Sequence, residues 1–172
     1  MTEAAIKFFD NKNQQFFLVV EEEGTDNFGN HTNANAMLEA LKRADDAIGI
    51  ANSYVKQNKN TMLITASDSE AGGMEIFSHT SLKPDEAIPE KDKIGSPYDG
   101  KYGTGSVPFL SQPDKFRNRF PFVVAWSTRY DVCGGVVARA EGLNSYLMTG
   151  SIQNVDIYRF MYATLFGRLI EN

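Results

Sequence analysis

Apolar and polar positions alternate along this chain in ways that mark out most of its elements. From Ala34 to Lys56 the apolar residues Ala34, Met37, Leu38, Leu41, Ala44, Ile48, Ala51 and Val55 recur at steps of three and four. That period is the signature of an amphipathic helix, and Lys56 supplies a cation near its end. Thr2 to about Asn11 reads as a shorter helix with Thr2 as N-cap and Glu3 in its first turn. At the far end Ile157, Phe160, Met161, Thr164 and Leu165 form one stripe behind Asn154 as the expected cap. Two unbroken apolar runs, Phe16–Glu21 (FFLVVE) and Thr61–Thr65 (TMLIT), have strand length and predict central strands buried on both faces. Phe120–Trp126 and Val136–Ala140 predict two more strands, separated by a turn-rich stretch at 127–135.

The polar, glycine-bearing segment 22–33 reads as a loop, and strand–helix–strand across 16–65 reads as a βαβ unit. Residues 78–118 hold five of the six prolines and no sustained period, which predicts a long surface insertion. The expected fold class is therefore α/β, with a mostly parallel central sheet flanked by helices in a single domain over 1–172.

Composition narrows the partners. The 172 residues carry a formal net charge of −5 and are 42% hydrophobic and 23% charged. That balance fits a globular chain and argues against a broad basic footprint for nucleic acid or anionic membrane. No stretch approaches the ~18 apolar residues of a membrane span, and the N-terminus lacks a signal pattern. The expectation is an intracellular protein or one whose N-terminus lies upstream. The single cysteine, Cys133, excludes an intrachain disulfide and has no histidine close in sequence, so it reads as a structural residue.

Candidate chemistry lies where the strands end. The first expected strand runs into Glu21, Glu22, Glu23 and Asp26, and the second into Asp68 and Glu70. The loop between the last two carries Asp131. Ligands in open α/β sheets sit beyond the carboxyl ends of strands, and converging acids repel one another unless a cation neutralises them. A divalent metal site is one reading. The other is a set of solvated surface charges, since short acid clusters are weak motifs. His31 and His79 each stand alone in polar segments.

The succession FFLVVEEEGTD, ADDAIGIA, NTMLITASD, GGVVARAEGLNS and VDIYRFMYATLFG resembles the C-terminal part of alkaline phosphatases, a resemblance that runs from Met1 to Leu165 apart from the insertion. The resemblance implies a phosphoric monoester hydrolase whose divalent metals drive in-line displacement at phosphorus. It maps Glu21 onto the family's magnesium-binding glutamate and Asp26 onto a zinc-binding aspartate. Asn30, with His31 one residue late, falls where the family has a zinc-binding histidine. Ser67 and Asp68 replace an Asp-His pair, Glu70 replaces a later histidine, and Asp131 falls at or beside the last zinc histidine. The replacements trade imidazole for oxygen ligands, which implies magnesium with zinc or a harder cation such as calcium or manganese. A decayed site is the alternative.

The family's nucleophilic serine, phosphate-clamping arginine and metal-bridging aspartate all lie in its N-terminal half. This chain is therefore expected to be a partial domain and inactive alone, needing a missing half or a homodimer partner to act on phosphate monoesters. Export to the periplasm or extracellular space follows from the resemblance alone. A non-catalytic metal- or phosphate-binding module, or a related phosphodiesterase or sulfatase, remains open.

Overall fold

The helical period that opens at Ala34 becomes the longest element of a computed structural model that describes residues 1–170. In chain order the elements are α1 (Thr2–Asp10), α2 (Gly24–Asn30), α3 (Ala34–Gln57), β1 (Met62–Thr65), β2 (Glu70–Ala71), β3 (Met74–Phe77), β4 (Tyr98–Gly100), β5 (Gly103–Thr104), β6 (Phe109–Leu110), β7 (Pro121–Trp126), β8 (Asp131–Val132), β9 (Arg139–Gly142) and α4 (Asn154–Phe166). A 3-10 turn at Ser145–Leu147 precedes α4. The residues divide into two compact units, and α3 contributes to both.

One unit comprises residues 1–21, 44–68 and 136–172. Its two-stranded ladder pairs β1 with β9 antiparallel, Met62 opposite Gly142 and Thr65 opposite Arg139. Gly142 ends the ladder with φ +89, and any side chain there would collide with Val55. The last strand lies at 139–142 rather than at 136–140, and Val137 is left exposed. The stripe of α4 is half-buried, and its Thr164 hydroxyl donates to the Phe160 carbonyl at 2.8 Å and accepts from Asn144 at 3.2 Å, with the Met62 sulfur 3.2 Å away. The caps differ from expectation. Met1 precedes α1, with the Ala5 N–H bonded to its carbonyl, and Gln153 precedes α4, donating its N–H to Asp156 at 2.9 Å.

Phe16–Glu21 is a correction of its own. The segment is irregular, and Phe17, Val19 and Val20 are exposed. A strand exists only through a neighbour that shares its ladder, and among the described residues no backbone pairs with this run. Phe16 instead stacks on Phe9 and packs against Tyr54, whose hydroxyl donates to Asp10 at 2.6 Å.

The other unit comprises residues 22–43 and 69–135. Its main sheet runs β3-β7-β4-β5, with β6 also on β7. β7 is the centre, pairing Val123–Trp126 with β3, Val124 and Ala125 with β4, and Pro121 and Phe122 with β6. Val123, Val124 and Trp126 are buried, and Val124 and Trp126 join Ala34 and Met37 in the core, flanked by Phe28, Met74 and Phe109. Residues 78–118 are thus more than a surface excursion. They supply three strands and bury Ile88, Asp99 and Pro108.

Among the described residues every ladder of two or more pairs is antiparallel, so the chain is α/β but its small sheets do not form a mostly parallel central one. The expected βαβ unit does not form, since among the described residues its first strand has no partner and its second pairs with β9. No helix among the described residues is long and apolar enough to cross a membrane.

Candidate functional site

The segment 22–33, expected as a loop, folds as α2 although its sequence GTDNFGN is rich in poor helix formers. Local bonds start it. Glu22 accepts the Gly24 N–H at 3.1 Å, and the Thr25 hydroxyl donates to the Glu22 carbonyl at 3.2 Å. Arg43 grips the same carboxylate with two bonds, Nε to Oε2 at 3.1 Å and a terminal nitrogen to Oε1 at 3.0 Å. That guanidinium fork holds the Glu22 carboxyl below its usual range, and the N–H of Gly24 adds to the effect. Glu22 is therefore the partner of Arg43 at the entry to α2 rather than an isolated surface charge.

Packing finishes the helix. Phe28 leans on the core, contributing on the order of 1 kcal/mol through its partial burial. Gly29 lies against β2 so closely that a Cβ would stand 2.9 Å from the Ala71 carbonyl oxygen. Ala71 in turn pairs with Asp131 of β8. Two residues without bulk thus bring the last turn of α2 beside β8.

The result is a meeting of two side chains of α2 with one from far along the chain. The Asn30 Nδ2 donates to Asp131 Oδ1 at 2.9 Å and to Asp26 Oδ1 at 3.3 Å. Asp26 and Asn30 share one face of α2 because they are four residues apart. The Asn30 Oδ1 is buried and has no hydrogen-bond partner among the described residues.

The other candidates fall elsewhere. Glu70 pairs with Val132, and so projects from the face of the β2–β8 ladder opposite to that of Ala71 and Asp131. His31 caps the end of α2, exposed, with Nδ1 bonded to the Asn27 carbonyl at 2.6 Å. Glu21, Ser67 and Asp68 are exposed and belong to the other unit. Among the described residues no three His, Cys, Asp or Glu side chains gather closely enough to hold a metal. The expected convergence of acids is reduced to one pair, Asp26 and Asp131, bridged by an amide.

Two carboxylates and an amide oxygen can still serve a cation. All three donors are hard oxygens, suited to Mg, Ca or Mn, ions that complete their shells with water or substrate. Zinc, which prefers imidazole and thiolate in protein sites, is poorly matched. The unpartnered Asn30 Oδ1 supplies the third donor if the amide turns.

Sequence reasoning missed Asp99. It sits on β4 within the presumed insertion, 1% exposed, and accepts the N–H of Ala34 at the start of α3. Asn33 adds a second cap, accepting the Ala36 N–H at 3.1 Å. An Asn directly before Ala34, the first residue of the apolar period, was the readable signal for Asn33. Nothing local marked Asp99, because its partner is 65 residues away.

Comparison with known proteins gives one family and one fold. A family model described as alkaline phosphatase matches residues 1–165. A magnesium-bound variant of the alkaline phosphatase of the Antarctic bacterium TAB5, with a histidine replaced by glutamate, superposes with a TM-score of 0.67 at 25% identity. The corresponding aspartate variant gives the same values, and another structure of the TAB5 alkaline phosphatase gives 0.65 at 24%. Each likeness covers 95% of this chain and 39% of the solved one, so the chain spans well under half the length of these structures. No curated protein sequence matches.

Proposed function

This chain belongs to the alkaline phosphatase family, and from that premise we propose that it forms the cation-holding part of a phosphoric monoester hydrolase. The observation that carries the reading is the bridging of Asp26 to Asp131 through Asn30, residues 105 positions apart at the extremes, which the resemblance sets at or beside family ligand positions. The TAB5 structures with magnesium support the same class of cofactor.

Asp26, Asp131 and the Asn30 oxygen would hold the ion, and Mg, Ca or Mn suits them better than zinc. A bound cation supplies Lewis-acid stabilisation of charge on phosphoryl oxygens. What the chain's own residues do is position. Arg43 and Glu22 fix the entry to α2, and Gly29 sets the distance from Asn30 to Asp131. Glu21, Ser67, Asp68, His31 and Glu70 are retained as ligand candidates by resemblance only.

The nucleophile, the phosphate clamp and the metal-bridging aspartate belong, in this reading, to polypeptide outside residues 1–172, in line with a 39% share of the solved chains. Exposed Phe17, Val19 and Val20, and Leu38, Leu41 and Ile48 on α3, offer apolar surface for such a segment or for a second copy.

Calorimetric titration with Mg, Ca, Mn and Zn tests the site. The oxygen-preferring ions are expected to bind, and Asp26→Ala and Asp131→Ala are each expected to weaken them. Absence of binding by all four overturns the reading. p-Nitrophenyl phosphate turnover by the chain alone would overturn the location of the nucleophile.

A further inference from the structure

We propose that the cleft between the Lys91–Pro97 turn and the end of β7 binds a small organic phosphomonoester, its phosphate group held by Lys91 and Arg129. The cleft shares no lining residue with the cluster of Asp26, Asn30 and Asp131, and its ligand needs no bound cation.

The cleft has a volume of about 450 Å³, in the range of small-molecule sites and larger than a bare ion needs. Lys91, Ser96 and Pro97 contribute from one side, and Trp126, Thr128 and Arg129 from the other. Among the described residues no acid lines it, and the side chains of Lys91 and Arg129 have no ion pair or hydrogen bond. The Ser96 hydroxyl is uncommitted in the same sense, and Thr128 accepts the Tyr130 N–H at 3.2 Å while keeping its own O–H to donate. The Trp126 indole N–H is buried without an acceptor among the described residues. Asp92, the acid beside Lys91 in sequence, has its Oδ1 engaged by the N–H groups of Ile94 at 2.9 Å and Ser96 at 2.8 Å.

Two cations with hydroxyl donors and no carboxylate are the complement of a doubly charged tetrahedral oxyanion. A guanidinium grips two of its oxygens, an ammonium balances the second charge, and hydroxyls donate to what remains. Pro97 and the exposed Ile94 supply apolar wall for the carbon skeleton of an ester.

Both sides are fixed by the fold. The Trp126 N–H bonds to the Pro97 carbonyl at 3.3 Å and joins one side to the other, and the Asp92 N–H closes the turn on the Ser96 carbonyl at 2.9 Å. The N–H groups of Ser127 and Thr128 bond to the Gly72 carbonyl at 3.1 and 3.2 Å, and the Ser127 hydroxyl donates to the Gly73 carbonyl at 2.9 Å. Binding therefore has little backbone left to order.

Calorimetry and tryptophan emission test the cleft, with glycerol 1-phosphate, inorganic phosphate and glycerol titrated into the whole chain in EDTA. Trp126 is the one tryptophan, so emission reports on this wall alone. The chelator silences phosphate held through a cation at Asp26 and Asp131, which keeps failure here separate from failure of the cation reading. Glycerol 1-phosphate is expected to bind saturably and more tightly than inorganic phosphate, to weaken as NaCl is added, and glycerol is expected not to bind. Arg129→Ala and Lys91→Ala should each weaken the ester about tenfold, with Arg129→Lys recovering part of the loss. Both side chains are exposed, so the variants should melt with the wild type. Lys115→Ala, a cation outside the cleft, should bind as wild type. No saturable binding, or binding unchanged in both Arg129→Ala and Lys91→Ala, overturns the proposal. An equal loss in Lys115→Ala reduces it to general charge attraction and overturns it too. Inorganic phosphate binding as tightly as the ester overturns the choice of an organic ligand.

Discussion

Asp99 accepts the backbone N–H of Ala34, so a buried carboxylate from β4 closes the first turn of α3. The negative group meets the positive end of the helix dipole and satisfies a donor that the helix itself leaves open. Asp99→Ala is expected to lower stability by about 1–2 kcal/mol, the usual cost of a lost cap, in thermal or urea denaturation.

The same residue predicts a pH effect. Burial pushes the Asp99 carboxyl above its ordinary value of 3.8, with the Ala34 N–H pulling the other way. A group whose folded value is raised contributes fully below its unfolded value and loses that contribution as pH rises through the folded one. Stability should therefore decline as pH climbs from about 4 through the raised value, and Asp99→Asn should flatten that slope. Melting temperature as a function of pH, in wild type and variant, reads it directly.

Glu22 should behave with the opposite sign. Its carboxyl is held low by the Arg43 fork, so its contribution is present above the ordinary glutamate value and is lost as pH falls through the lowered one. Arg43→Lys replaces a two-point grip with a point charge. The variant should melt at lower temperature than wild type at neutral pH, with the difference shrinking in acid.

Gly29→Val should be costly. Its Cβ would stand 2.9 Å from the Ala71 oxygen and 3.1 Å from the Ala71 Cβ, and only displacement of α2 from β2 relieves the clash. A loss of about 1–3 kcal/mol is expected, as for other overpacked contacts. The distinctive readout is Asn30, whose NH2 resonances should lose their protection even in the folded variant.

Tyr54 offers a spectroscopic check on the other unit. Its hydrogen bond to Asp10 is the main reason, with burial and the nearby charge, that its hydroxyl is pushed up to about 12. In an ultraviolet titration one tyrosine should remain un-ionised well past pH 10, the ordinary value, and Tyr54→Phe should remove that late step. Because the folded value is raised, the stabilisation it provides is lost as pH rises from about 10 to 12.

The sequence by itself determined the features whose causes are local. The period of Ala34, Met37 and Val55 specified α3 almost to the residue, and the runs at 61–65 and 120–126 specified where β1 and β7 lie, because such patterns are written in neighbouring positions. β1 is nevertheless half-buried in a two-stranded antiparallel ladder and not a central strand. The ordered motifs from FFLVVEEEGTD to VDIYRFMYATLFG carried the family.

Only the tertiary structure decided what depends on partners far along the chain. Phe16–Glu21 has strand composition, yet composition cannot supply the neighbouring backbone that makes a ladder. The segment Gly24–Asn30 has loop composition, yet Arg43, Ala71 and the core behind Phe28 make it a helix. Equal spacing from strand ends could not separate Glu70 from Asp131, whereas the pairing of β2 with β8 puts them on opposite faces. Asp26 with Asn30 was legible as a helical pair once α2 exists. Asp131 joined them only through the close approach at Gly29, a contact that follows from a missing side chain and from where the chain happens to return.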